Sequence, residues 1–235
     1  MPPSTEEEAA MDAGMDMDID AARDRLVAAV LTHVPFDGWG NAALDRAAAD
    51  CDMAAETARA LFPGGARDLI NWHSRWADRR MMAQLDADGL EEMRIRDRIA
   101  HAVMTRFEQN AGDREAVRSA LSFLALPRNA ALAAELLYRT VDDIWFACGD
   151  RSTDWNFYSK RGLLAGVYSS TLIVWLDDRS EGFEETRGFL DRRIGNVMAI
   201  PKITKRARKV GAVATFVPRR LKAFRTFWPA RATRG

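Results

Sequence analysis

Cysteine and histidine are both scarce in this chain of 235 residues, and their scarcity excludes several chemistries. Cys51 and Cys148 lie too far apart for a zinc-ligand spacing and too few for a disulfide framework, so reduced thiols are expected. The histidines are His33, His73 and His101. None follows a Glu-x-x pattern, so a di-iron helical bundle lacks its ligands. Asp97 and His101 stand four residues apart, a spacing expected to give a helix-surface ion contact. Asp142-Asp143 and Asp177-Asp178 have no neighbouring histidine and are expected to solvate helix faces or meet a partner. A nucleophile with its base, a glycine-rich phosphate loop and a nucleotide motif are all missing. Neither catalysis nor a cofactor nor a metal is therefore expected.

Long apolar runs are missing too. The longest, Gly162 to Leu176, is interrupted by Ser169, Ser170 and Thr171 and falls short of the ~20 residues that a spanning helix needs. It reads as a buried core helix. Net charge is also absent, the formal value being +0, but this conceals segregation. Residues 1–20 hold seven acids and no base, whereas residues 201–235 hold eleven bases and no acid. Such opposite ends mark interaction tails. An acidic start with no apolar stretch fits no secretory signal, and without arginine it fits no mitochondrial presequence. A bacterial cytoplasm, or a mature chain, is the expectation.

What is present is helical periodicity, with no strand-period segment. Residues 1–20 are aperiodic and are expected to be disordered. Leu26, Val27, Val30, Leu31 and Val34 predict a helix from about Ala21 that Pro35 stops. Short helices follow at about Asn41–Asp50 and Met53–Phe62, with a tight turn at Cys51-Asp52, and Pro63-Gly64-Gly65 ends this part. Residues 21–65 thus resemble a helix-turn-helix module. Residues 66–199 form a helical body, with helices predicted at Ala66–Asp86, Glu91–Gln109, a short stretch ending at Pro127, Leu132–Cys148, Trp155–Leu176 and Phe183–Met198. The expected fold is all-α, about nine helices plus a C-terminal amphipathic helix.

That tail, residues 200–235, places Ile203, Ala207, Val210, Ala214 and Val217 on one helical stripe with bases mostly elsewhere, the pattern of a membrane-surface helix. Pro218 interrupts it, and Leu221, Phe224 and Trp228 resume the stripe. Lys205, Arg206, Lys209, Val210, Val217, Leu221, Phe224 and Trp228 are the candidate membrane contacts; each base near an anionic bilayer contributes about 1 kcal/mol. Nonspecific nucleic-acid binding is the rival for such a tail. The apolar stripe and the shortage of base-edge readers favour the membrane.

The string Gly149-Asp-Arg-Ser-Thr-Asp-Trp-Asn-Phe-Tyr-Ser-Lys-Arg-Gly-Leu-Leu-Ala-Gly-Val-Tyr-Ser-Ser-Thr171 closely resembles the signature of the coenzyme Q biosynthesis protein nine family. The likeness extends over roughly Ala21–Met198, including Leu61-Phe62-Pro63-Gly64-Gly65 and Phe189-Leu190-Asp191-Arg192-Arg193-Ile194. It implies a TetR-like fold that has given up gene regulation, forms homodimers, and holds isoprenoid lipid where regulators hold their ligands. It further implies that a quinone intermediate, demethoxyubiquinone, is handed to a di-iron hydroxylase, so that catalysis belongs to the partner. The implied seat is the inner face of a bacterial membrane, or the matrix side in mitochondria. Carried over position by position, the hydroxylase-binding patch comprises Asp142, Ile144, Asp154, Phe157, Tyr158 and Arg161. Phe157 replaces an indole found in some members, which keeps the aromatic surface and removes an N–H donor.

An isoprenoid needs an apolar tunnel with few unsatisfied polar atoms. Leu121, Leu124, Leu137, Val141, Trp145, Leu164, Val167, Tyr168, Thr171 and Trp175 are the candidate wall, with Ala165, Gly166, Ser169 and Ser170 leaving room. A TetR-class DNA-binding regulator is the alternative reading. Against it, the stretch Asp50–Arg59 that stands where a recognition helix would lie holds three acids and one base, a face that duplex DNA repels.

Overall fold

The computed structural model describes residues 5–149 and 155–211, with side chains described over 18–149 and 160–198. The described residues fold into nine α-helices and three short 3-10 turns, without a strand. The chain divides into two units, Met1–Ile194 and Gly195–Gly235. In the second, residues 195–211 are helical.

Helix α1 (Thr5–Asp37) places Leu26, Val27, Val30, Leu31 and Val34 on one buried stripe. Against it lie Ala43, Leu44, Ala47 and Ala48 of α2 (Asn41–Asp50), whose small side chains let the two backbones approach closely. The acidic stretch expected to be disordered is helical from Thr5 onward. Glu6, Glu7 and Glu8 fall in its first turn, where the helix dipole favours acids. Pro35 does not stop α1 either. It sits in the last turn, and the helix ends at Asp37, where Gly38 takes a left-handed φ of 69° and its N–H closes on the Val34 carbonyl at 2.9 Å.

The turn into α3 (Ala55–Leu61) is built by Asp52. Its φ is 53°, and the flanking N–H groups of Asp52 and Met53 bond to the carbonyls of Ala49 (3.2 Å) and Ala48 (2.8 Å). This is the Schellman arrangement, which satisfies the orphan carbonyls at the end of α2. Arg59 then grips Asp45 through Nε at 2.9 Å and Nη2 at 2.5 Å, locking α3 onto α2.

The body begins with α4 (Ala66–Asp88), whose Leu69, Ile70, His73, Ala77, Met81 and Leu85 are buried. Trp72 Nε1 donates to Asp24 at 2.7 Å, pinning α4 to α1. Then come α5 (Ile95–Glu108), α6 (Arg114–Leu124), α7 (Ala130–Ala147), α8 (Trp155–Asp177) and α9 (Glu184–Gly211). The tryptophan of the first interhelical connection, Trp39, donates to the Ala116 carbonyl of α6 at 2.9 Å. Helix α9 runs past Pro201, where a stop was expected; a proline removes one donor and can kink a helix without ending it. Among the described residues no single helix is long and apolar enough to cross a membrane.

The junction of α8 and α9 rests on Asp178, which was expected to be solvated and is instead 1% exposed. Burial disfavours its charge, but donors from Ser180 (N–H at 2.8 Å, hydroxyl at 2.6 Å) and Thr186 (N–H at 2.9 Å, hydroxyl at 2.6 Å) outweigh that and hold its pKa at about 2. Two arginines of α6 cap the end of α8: Arg118 Nη2 donates to the Leu176 carbonyl at 2.9 Å and Arg114 Nη1 to the Asp178 carbonyl at 2.5 Å. Because the folded pKa of Asp178 lies below the unfolded value, its stabilisation is full above about pH 4 and lost as pH falls through 2. Asp178→Asn is expected to cost about 2 kcal/mol at pH 7. Urea titrations should show the gap between variant and parent narrowing as pH is taken from 5 toward 2.

Candidate functional site, a lipid-sized cavity in the helical body

Five helices converge around a cavity of about 460 Å³. Helix α6 contributes Val117, Ala120, Leu121 and Leu124; α7 contributes Ala133, Leu136, Leu137 and Thr140; α8 contributes Tyr168, Ser169, Leu172, Ile173 and Trp175. Ile70, His73 and Ser74 of α4, with Arg106, Phe107 and Asn110 at the end of α5, complete it. The volume is in the range of a drug-sized ligand, and the lining is mostly apolar. Ile173 is 63% exposed and marks the mouth, while Trp175 and Phe107 stack at 5.3 Å in the interior wall.

Of the ten residues expected to line a tunnel, the structure brings Leu121, Leu124, Leu137, Tyr168 and Trp175 to this cavity. Val141, Trp145, Leu164, Val167 and Thr171 are buried away from it, Thr171 donating to the Val167 carbonyl at 2.7 Å. Among the small residues, Ser169 lines the cavity, and Ser170 turns back on the Gly166 carbonyl at 2.8 Å. Periodicity tells which residues are buried, not which buried residues face a void.

Sequence reasoning missed the polar members of the lining. Arg106 donates from Nε to Asp78 at 3.0 Å and from Nη2 to the Ser74 carbonyl at 3.4 Å. Thr140 lies 2.9 Å from the same Asp78 oxygen. His73 sits between Trp39 and Trp76, at ring distances of 5.4 and 6.4 Å. Burial, followed by the charge of Arg106, lowers its pKa to about 3, so the imidazole is neutral at physiological pH. A signal for His73 was available in the sequence: it stands three residues after Ile70 and four after Leu69, on the buried stripe of α4.

The COQ9 family model matches residues 130–201, which span α7, α8 and the start of α9. The protein "Ubiquinone biosynthesis protein COQ9-B, mitochondrial" of Xenopus laevis is 32% identical over 200 residues, covering 80% of this chain and 67% of that one. The chain belongs to the COQ9 family. The mitochondrial ubiquinone biosynthesis protein COQ9 of Rattus norvegicus is 33% identical over 194 residues, and that of Homo sapiens 31%. The matches cover 80% of this chain but only 62% and 61% of those relatives' lengths. A TetR transcriptional regulator from Nitrosomonas europaea superposes with a TM-score of 0.62 at 24% identity, covering 74% of this chain and 97% of that one. The chain therefore has the TetR-like fold, as its helix order suggested.

Of the patch carried over from COQ9 relatives, Asp154, and the side chains of Phe157 and Tyr158, lie outside the described residues. Ile144 is fully buried, and Arg161, 5% exposed, donates to Asp142 at 2.5 Å. Ile144 and Arg161 are thus buried, and the Asp142 side chain is partly exposed. In the tail, Lys205, Arg206, Lys209 and Val210 belong to the α9 backbone, with side chains outside the described residues; Val217, Leu221, Phe224 and Trp228 lie outside them altogether. His101 pairs with Asp88 at 2.7 Å rather than with Asp97, which Arg94 takes at 2.7 Å. Among the described residues no acid, histidine or cysteine cluster is arranged to hold a metal ion.

Asp143, beside Asp142 on α7, is half-buried. Burial, then the charges of Asp78 and Asp142, push its pKa up to about 6. The folded chain thus holds this proton more tightly than the unfolded chain, whose value is near 4, and the stability so gained is lost as pH rises through 6. Asp143→Asn should therefore raise Tm at pH 7.5 relative to the parent, with the gain fading by about pH 4. An equal gain at both ends of that range would show that the charge of Asp143 is not what destabilises it.

Proposed function

We propose that this COQ9-family chain acts in ubiquinone biosynthesis by holding an isoprenoid lipid or quinone intermediate in the α4–α8 cavity. It hands that molecule, the demethoxyubiquinone intermediate, to a di-iron hydroxylase at a membrane surface. The observation that carries this reading is the apolar cavity of about 460 Å³ in a chain whose relatives are named for ubiquinone biosynthesis. The hydroxylase supplies the catalysis. In support, the cavity histidine is held near a pKa of 3, too weak a base for proton transfer at neutral pH, and Arg106 is already committed to Asp78. The hydroxylase docks on the surface around Asp142 and the start of α8. A second copy of the chain completes a homodimer, which the exposed Leu163 of α8 supports. The relatives bear mitochondrial names, and the proposed seat is the matrix face of the membrane or its bacterial equivalent. Regulation of genes is not part of the proposal. The only base of the Asp50–Arg59 stretch is Arg59, and its charge is taken up by Asp45.

Quinones quench nearby indoles, and Trp175 is in the cavity wall. Titrating the purified chain with a short-chain ubiquinone should give saturable loss of tryptophan fluorescence. Ala133→Phe or Ser169→Phe, which fill the space without touching the core pairs, should weaken that binding at least tenfold; quenching that stays linear, or unaltered binding in both variants, counts against the cavity. For the tail, removal of residues 201–235 should abolish flotation with anionic liposomes, and equal flotation of the shortened chain would refute a membrane role for it.

A further inference from the structure

The cavity is not uniformly greasy, and its polar atoms have a pattern. His73 is 5% exposed, Asn110 2% and Trp175 1%, and all three line the cavity. His73 Nε2, Asn110 Oδ1 and Trp175 Nε1 make no hydrogen bond of ordinary geometry among the described residues, although the Asn110 side chain stands near enough to His73 to favour its protonated form. Leaving one such buried atom unsatisfied costs about 1 to 3 kcal/mol, so three on the lining of one cavity is a large standing cost unless a ligand meets them. The orientation of Asn110 is set independently. Its Nδ2 donates to the Arg106 carbonyl at 2.6 Å, which leaves Oδ1 as a pure acceptor. Trp175 Nε1–H is a pure donor, and the neutral imidazole supplies either role through Nε2. An acceptor, a donor and one atom of either kind suit a hydroxyl group, which donates and accepts at once.

Charge narrows the class further. The one cation on the lining, Arg106, is neutralised by Asp78, with the Arg139 Nε a further 3.6 Å from that carboxylate. A carboxylate or phosphate head would enter without an unpaired cation to receive it. Resting on the lipid-cavity reading above, we infer that the cavity selects a neutral, hydroxyl-bearing lipid of the alcohol or phenol class, the hydroquinone form of the proposed intermediate included, and seats it head first against Asn110 and His73. The apolar chain then runs along Leu121, Leu124 and Leu137 toward Ile173 at the mouth. An amphiphile held this way leaves the rest of its tail available to a bilayer, and its head withdraws last on hand-over.

The test uses the delipidated full chain and equilibrium transfer from methyl-β-cyclodextrin, with four C20 isoprenoid probes: geranylgeraniol, its methyl ether, the corresponding hydrocarbon, and phytanic acid. The alcohol should bind at least tenfold more tightly than the other three. Asn110→Leu and His73→Phe should bring the alcohol down to the level of the hydrocarbon without changing hydrocarbon binding, and His73→Gln, which keeps a donor and an acceptor, should restore the preference. Circular dichroism identifies any variant that fails to fold, in which case the wild-type ranking of the four probes decides. Equal binding of alcohol and hydrocarbon, or variants that weaken both alike, overturns head-group selection while leaving the lipid cavity standing. If none of the four probes binds, the cavity reading itself falls and the inference with it.

Discussion

The interaction on which the body depends is the buried ion pair of Asp78 and Arg106. Asp78 lies on α4, 2% exposed, and Arg106 on α5, 8% exposed, and Thr140 of α7 shares the same carboxylate oxygen. Burial works against the charge of Arg106, but the Asp78 carboxylate 3.0 Å from its Nε outweighs that and keeps it protonated. A buried pair of this kind adds little compared with an apolar replacement of both partners, yet removing one partner alone costs about 3 to 5 kcal/mol. Its structural consequence is spacing. Three helices are held at fixed distances by polar contacts at one point, so they need not close on each other by apolar collapse elsewhere. The void lined by Ile70, Ala120, Leu136 and Leu172 sits beside that point.

The helix-turn-helix-like part is held by contacts of its own. The α1–α3 unit is held by small-residue packing, by the left-handed Asp52 turn and by the Asp45–Arg59 grip. Each of these stabilises the first three helices, and the exposed Arg59 is paired with Asp45. The hydrogen bond from Arg59 also holds the Asp45 carboxyl below its ordinary pKa, which marks the pair as ionised and mutually committed. The fold is that of a regulator, whereas function is argued from the cavity and its residues.

Much of this architecture was legible in the sequence. The borders of α2 and α8 and the buried stripe of α1 follow from apolar spacing, because helix burial imposes a 3.6-residue period on side chains. The family likeness was legible in the single string from Gly149 to Thr171. What escaped was whatever depends on neighbours distant in the chain. Pro35 and Pro201 read locally as stops, and only the surrounding helix decides otherwise. Asp178 looked like a solvated acid because its donors, Ser180 and Thr186, act only once α9 folds back within their reach. His101 found Asp88 across the α4–α5 connection in preference to Asp97 on its own helix. Of the site, the apolar half was within reach of periodicity. Of the polar half, the burial of His73 was readable from the stripe of α4, but its unpartnered atom and that of Asn110 were not, because these are properties of three-dimensional packing rather than of residue type.

The central claim is that the cavity of this COQ9-family chain is a lipid site. Mass spectrometry of the organic extract from the purified full chain tests it most directly. A neutral isoprenoid or quinone-type molecule should be recovered in stoichiometric proportion to protein, and its amount should fall when Ala133 is replaced by Phe. An extract free of such molecules, together with no uptake of added isoprenoid by the purified chain, would contradict the account.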